Sequence, residues 1–259
     1  MRYRLKIWIL PFFFLLGSCV KIGEYYAGLN LQPNMTDSPF EPGLNVFGIL
    51  KTGPGLDTIN HYFEVQQLLD IASWDDEINL YDASIKLKRV TAAGEAFNYN
   101  LQHTADSLYA NTAILTAPGD RWNYVCVYDT FEVTATCVVP NYPQLQEGTL
   151  QKEEKELKFT ILADETAFMY QVYLIDGEHV WLEQKVPVEG NNTEFNLHTD
   201  WIISNQTCLL YIFAYDRHME AYYTTSNTFF KPNAYRPPFS TVEGGYGTFG
   251  AVSSCLIAF

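Results

Sequence analysis

The sequence predicts a mostly-β protein: an immunoglobulin-like β-sandwich at 43–140, then a second β-rich region at 150–259 with one short helix. Three observations predict it. Charged residues make up only 18% of the chain and aromatics 15%, a composition that can bury a core and is unlike that of disordered chains. Short apolar or alternating runs recur between Gly, Pro, Asn and Asp turn signals, the mark of a sandwich or barrel. No repeat of 20–50 residues and no heptad run competes with that reading.

The elements follow in chain order. Arg2, Arg4 and Lys6 form a positive head, and Ile7–Leu16 is an uncharged run of ten. Such a run is too short to span a bilayer as a helix, which takes ~20 residues, so 1–18 reads as a signal peptide. Leu16-Gly17-Ser18-Cys19 follows directly and reads as a lipobox: two small residues admit the peptidase, and the Cys19 thiol accepts the lipid. Several acyl chains on one cysteine would anchor the chain more firmly than one can. Residues 19–42, rich in Asn, Pro, Gly and Asp, read as a tether.

Strands are expected at 44–50, 62–69, 85–90, 97–101, 122–128 and 131–138. The last is the clearest: Phe131, Val133, Ala135 and Cys137 share one face, while Glu132, Thr134 and Thr136 take the other. Ala117-Pro118-Gly119-Asp120 is a turn, and Pro140-Asn141-Tyr142-Pro143 is a stiff break before a polar stretch. Beyond it, strands are expected at 157–162, 168–175 and 180–186, with Asp176-Gly177 as a hairpin turn and Gly190-Asn191-Asn192 as another turn. Thr207–Tyr215 is nearly all apolar and reads as a central strand buried on both faces. Asp216 caps a short helix that runs to about Thr224.

Net charge is −14, which excludes a nucleic-acid partner, since phosphate contacts need a basic face. Removing 1–18, with its three basic and no acidic residues, leaves a body more acidic still. Cys126 and Cys137 sit either side of Asp129-Thr130. A two-residue loop there pairs Tyr128 with Phe131, sets Cys126 against Val133 and Cys137 against Trp122, and puts the thiols over 10 Å apart at ~3.3 Å per residue. That is beyond disulfide reach, so free thiols are favoured; a four-residue loop would bring them together. Cys208 and Cys255 are left open.

Catalytic signals are weak. Gly245-Tyr246-Gly247-Thr248-Phe249-Gly250 fits G-x-G-x-x-G, yet Cys255–Phe259 after it reads as a strand, where the dinucleotide motif needs a helix. The glycines read instead as a tight loop into a final strand. The five histidines are scattered, and there is no H-E-x-x-H or G-x-S-x-G. Ser73–Glu77 with Asp82 is the densest acidic cluster, but it lacks the order of a calcium loop and reads as solvated. The 18 Tyr and 5 Trp could form a sugar-stacking face, although rings in a β-rich chain serve mostly as core. No catalytic residue, metal site or cofactor is assigned.

Three stretches carry a family resemblance. They are Asn45–Leu50; Pro118-Gly119 with Tyr124–Val127 and Val133–Pro140; and Tyr211–Asp216 with Ala221–Tyr223, Asn233–Pro238 and Gly244–Ala251. In this order the chain resembles the Bacteroidota outer-membrane lipoproteins grouped as domain of unknown function 4249. It departs from them at Ser240–Glu243. The resemblance implies an outer-membrane location through the lipid on Cys19, with a TonB-dependent receptor as partner. The family has no assigned catalytic residues, so none carries over. Asp57-Thr58-Ile59 and Asp106-Ser107-Leu108 look like the tripeptide such bacteria O-glycosylate, at Thr58 and Ser107. Which membrane face the body occupies stays open.

The leading expectation is a non-catalytic accessory that binds a ligand or partner. Its rivals are a glycan hydrolase using acidic loop residues and a structural or adhesive surface protein. The hydrolase would need a cleft holding two carboxylates ~5–10 Å apart, one with a raised pKa.

Overall fold

Side-chain alternation sets the hairpin at the centre of the first half. Strands β7 (Arg121–Tyr128) and β8 (Phe131–Val138) pair antiparallel around Asp129-Thr130, with Tyr128 opposite Phe131, Cys126 opposite Val133 and Cys137 opposite Trp122. Asp129 takes φ 51°, the left-handed conformation that a two-residue hairpin loop requires. This is the register the spacing predicts, and none of the four cysteines among the described residues is in a disulfide. Burial pushes the Cys126 thiol up to about 11 and Cys137 well above its ordinary value, so neither is a ready nucleophile.

The computed structural model describes residues 42–54, 61–68, 79–105, 108–176, 179–187, 190–201, 203, 207–224 and 240–259. Cys19, Thr58, Ser107 and the Ser73–Glu77 cluster lie outside them. The remaining strands are β1 (Leu44–Thr52), β2 (Tyr62–Gln67), β3 (Ser84–Val90), β4 (Ala96–Asn100), β5 (Gln102–Ala105), β6 (Leu108–Ala110), β9 (Gln151–Lys152), β10 (Glu156–Ile161), β11 (Met169–Asp176), β12 (His179–Lys185), β13 (Thr193–His198), β14 (Leu209–Tyr215) and β15 (Tyr246–Ala258). Helix α1 spans Arg217–Thr224. The protein is mostly β and built as a sandwich.

Three sheets make the layers. One has eight strands in the order β12-β11-β14-β15-β1-β2-β6-β5; two smaller sheets run β4-β3-β7-β8 and β13-β10-β9. Both small sheets cover the same face of the large one. Along β15 the odd residues point that way: Phe249 and Ala251 enter a core with Trp122, Tyr124 and Val133, while Cys255 and Ile257 pack on a core with Phe159, Phe195 and Leu210.

The sequence places a boundary between 140 and 150. The two cores divide there, but the last strand serves both and is not confined to the second region. β15 lies between β14 and β1, antiparallel to the first and parallel to the second. Asn141 carbonyl oxygen accepts from Ser253 Oγ at 2.7 Å, which seats the linker itself against β15.

Other expectations change. The final strand begins at Tyr246 rather than near Cys255. Gly247, at φ 105°, permits that early start, because a Cβ there would collide with the Val46 carbonyl of the neighbouring strand. β13 is a clean alternation, Thr-Glu-Phe-Asn-Leu-His, that the turn signal at 190–192 announces but the sequence reading passes over. β14 is central, as expected, yet only one face is fully buried: Leu210, Ile212 and Ala214 are 0% exposed, whereas Tyr211 and Phe213 are half-buried. One small sheet covers the first set; the second set looks outward.

Candidate functional site

The outward face of the large sheet carries the site. Strand alternation puts Phe47, Ile49 and Lys51 of β1 there, with Tyr62 and Glu64 of β2, Gln171 and Tyr173 of β11, and Tyr211, Phe213 and Tyr215 of β14. Helix α1 forms a wall through Tyr222 and Tyr223. Together they enclose a groove of about 680 Å³.

The sequence explains why the helix sits at this spot. Asp216 Oδ1 accepts from the Met219 N–H at 2.9 Å and so caps α1. The helix then lies over Gly250, where a Cβ would stand 2.6 Å from Asp216 Oδ1 and 2.7 Å from Met219 Cγ. Glycine at this position lets the helix rest directly on the sheet. Met219, Ile49, Val252, Met169 and Tyr215 fill the seam beneath it.

The rings contact one another in two groups. Phe47 meets Tyr62 edge-on at 5.7 Å and Tyr222 at 5.2 Å; Tyr222 meets Tyr223 at 5.4 Å, and Tyr223 meets Tyr215 at 5.2 Å. On the open floor, Tyr211 and Phe213 lie with planes 7° apart and centroids 6.3 Å apart, and Tyr173 stands edge-on to Phe213 at 5.5 Å. Polar groups are interleaved. Tyr62 Oη donates to Glu64 at 2.8 Å, and Tyr215 Oη donates to Gln171 Oε1 at 2.7 Å. Burial, then the Glu64 hydrogen bond, pushes Tyr62 up to about 12; burial also raises Tyr215 and Tyr223. These hydroxyls therefore stay protonated at neutral pH and can donate. Burial lowers Lys51.

A second cavity, about 780 Å³, is lined by Arg121, Glu165, Thr166, Asp216, Arg217 and His218. Burial raises the Asp216 carboxyl to about 7. That carboxyl is turned towards backbone groups of Met219, Ala251 and His218, and the residue is 5% exposed. The arrangement is that of a helix cap buried under its own helix.

From Tyr246 the glycine motif is itself part of β15, paired with β1, rather than a loop leading into the strand. The histidines are dispersed among local contacts: His61 Nδ1 accepts from the Lys51 N–H, His198 pairs with Glu156, and His179 stacks on Trp201. Asp82 is exposed. Among the described residues, no three His, Cys, Asp or Glu side chains gather as metal ligands, and no helix is long and apolar enough to cross a membrane.

The groove is what sequence reasoning missed. A signal for it exists in Tyr-x-Phe-x-Tyr at 211–215, where aromatic residues alternate with aliphatic ones inside a run that reads as uniformly apolar.

No protein-family model matches the chain, and no curated protein matches it. Among solved structures, it is similar to a two-domain fibronectin type-III segment from chicken tenascin, at 11% identity over 67% of this chain and 91% of that one, TM-score 0.24. It is also similar to the chicken interferon gamma receptor alpha chain (9%, over 68% and 89%, TM-score 0.24). A third is a tetra-tandem repeat from the extending region of a large adhesion protein (9%, over 85% and 49%, TM-score 0.24). Superpositions this loose bear on no residue of the groove.

Proposed function

We propose that this chain is a non-catalytic binding lipoprotein of the cell envelope, held at the outer membrane by lipid on Cys19 and engaging its ligand at the aromatic groove as accessory to an outer-membrane receptor. The groove carries the reading. Eight rings gather on a sheet face that no other sheet covers, at a volume within the ~300–1,000 Å³ usual for ligand pockets. The seam beneath α1 uses some of these rings, Phe47, Phe213 and Tyr223 among them; Tyr173 and Tyr211 lie outside it and mark a surface kept for contact. The lipid anchor, the receptor and the resemblance to lipoproteins of unknown function stand or fall by experiment.

Two measurements test the parts separately. Cys19→Ser should move the protein from the envelope fraction to the soluble one; unchanged sedimentation would end the anchor reading. Tagged parent protein, solubilised from envelopes at native levels, should bring down a TonB-dependent receptor. Tyr211→Ala should release it. Recovery of the parent alone removes the accessory role.

A further inference from the structure

We infer that the outer face of the four-stranded sheet β4-β3-β7-β8 is the surface by which the body rests on an anionic lipid bilayer, through Lys86, Lys88 and Arg121. This surface is separate from the groove and draws nothing from it.

Strand alternation builds the face. Ile85 and Leu87 of β3 and Trp122, Tyr124 and Cys126 of β7 point into the core, so Lys86, Lys88 and Arg121 point out, and all three are exposed. The register brings them together. Lys88 stands opposite Asn123, two residues along β7 from Arg121, and Lys86 stands two residues along β3 from Lys88. Such steps, along a strand or on the diagonal, are ~7–8 Å, so three like charges hold neighbouring positions on one rigid surface.

No carboxylate answers them. Arg89, Lys158 and Lys185 are ion-paired with Asp120, Glu156 and Glu183, whereas Lys86, Lys88 and Arg121 are in no ion pair among the described residues. Their outward neighbours Asn98, Asn100, Asn123 and Thr136 are neutral. Glu132 is the one acidic residue in the four strands, and it lies across β7 from Ser84, beyond Lys86. A chain of net charge −14 thus presents a face whose charge is mostly positive, which the sum over the sequence conceals. Charges are screened over ~8 Å at physiological salt, so a bilayer touching this face meets its cations before the acidic remainder. Each basic residue at an anionic surface strengthens binding roughly fivefold.

Composition selects lipid over protein. Phe97 and Tyr99 of β4 turn inward to Arg89 and Trp122, and no aromatic residue takes an outward position on the four strands. Protein interfaces are anchored by aromatic side chains and depleted in lysine. A headgroup layer asks only for charge and hydrogen bonds. Nucleic acid asks for more phosphate contacts, commonly ~6–10, than three cations supply.

The test uses the full chain as Cys19→Ser, so that no lipid on the chain contributes and the anchor and this face can fail separately. Vesicles of phosphatidylcholine, alone or mixed with phosphatidylglycerol, are added, amines are briefly acetylated, and mass spectrometry reads each lysine. Read lysine by lysine, the result is independent of how residues 1–18 meet the vesicles. Lys86 and Lys88 should be protected several-fold on the mixed vesicles and not on phosphatidylcholine, and high salt should abolish the protection. Lys155, exposed among Glu153, Glu154 and Glu156, should react alike throughout. Lys86→Gln/Lys88→Gln/Arg121→Gln, its folding checked by near-UV circular dichroism, should bind the mixed vesicles about tenfold more weakly, or worse, in flotation. Equal labelling of Lys86 and Lys88 on both vesicles, or equal protection of Lys155, overturns the inference. So does unchanged flotation of the folded triple variant. Protection by soluble polyglutamate and not by the vesicles assigns the face to an acidic protein and overturns the lipid.

Discussion

The two faces of the eight-stranded sheet are built from the same strands to different ends. On β14, Leu210, Ile212 and Ala214 are wholly buried against the small sheet, while Tyr211 and Phe213, between them, are half-buried and line a groove. On β11, Tyr170, Val172 and Leu174 point inward, while Gln171 and Tyr173 line the groove. The covered face is mostly apolar, and its polar exceptions, Thr52 and Ser253, spend their hydroxyls on the Thr116 and Asn141 carbonyls. The open face is aromatic, carries amide, carboxylate and hydroxyl groups, and is only partly closed by an eight-residue helix. Closure of a core explains the first composition. It does not explain the second, and the surplus of rings beyond the seam under α1 points to contact with a ligand.

The comparison can be broken most directly at β14. Leu210→Ala should lose about 2–5 kcal/mol in a urea melt, because it empties a fully buried site. A loss under about 1 kcal/mol would mean that the covered face is not the stabilising one.

The second test concerns the helix that half-closes the groove. Asp216 has its carboxyl raised to about 7 from 3.8 by burial. A raised acid is held protonated by the folded state, so its contribution is full below about pH 4 and is lost as pH rises through about 7. Asp216→Asn keeps a capping oxygen without the charge. It should match the parent at pH 4, gain on it as pH rises towards 7, and exceed it at pH 9 by at most about 4 kcal/mol, as the size of the shift implies. Thermal melts at the two pH values check this, and parallel curves would refute it.

Phe213→Ala is the counterpart of Leu210→Ala on the open face. It should cost only about 1–2 kcal/mol of stability, since its ring is half-solvated already. Equal losses from the two variants would erase the distinction between the faces. The smallest effect is expected from Tyr62→Phe, which removes a hydrogen bond at a residue 36% exposed. A change within about 0.5 kcal/mol in a urea melt is expected.

Much of the fold is legible one strand at a time. The Asp129-Thr130 loop, the β7–β8 register, the separation of Cys126 from Cys137 and the Asp216 cap all follow from local spacing, because turn length and the period of two leave little freedom. The groove is legible only in fragments. Phe47, Tyr62, Tyr173 and Tyr211 lie on four strands separated by up to more than a hundred residues, and nothing local says that these strands share a sheet. A run such as Leu209–Tyr215 reads as apolar throughout, since a tyrosine that packs and a tyrosine that waits for a ligand look alike in one dimension.

By itself the sequence determined the β class, the β7–β8 register, and the helix and its cap, all of which depend on neighbours a few residues apart. Tertiary structure alone decided that the last strand runs beside the first, that one face is covered twice and that the other gathers rings from both halves. Those outcomes depend on which distant strands exchange hydrogen bonds, and strand pairing is governed by the closure of the whole core rather than by any single segment.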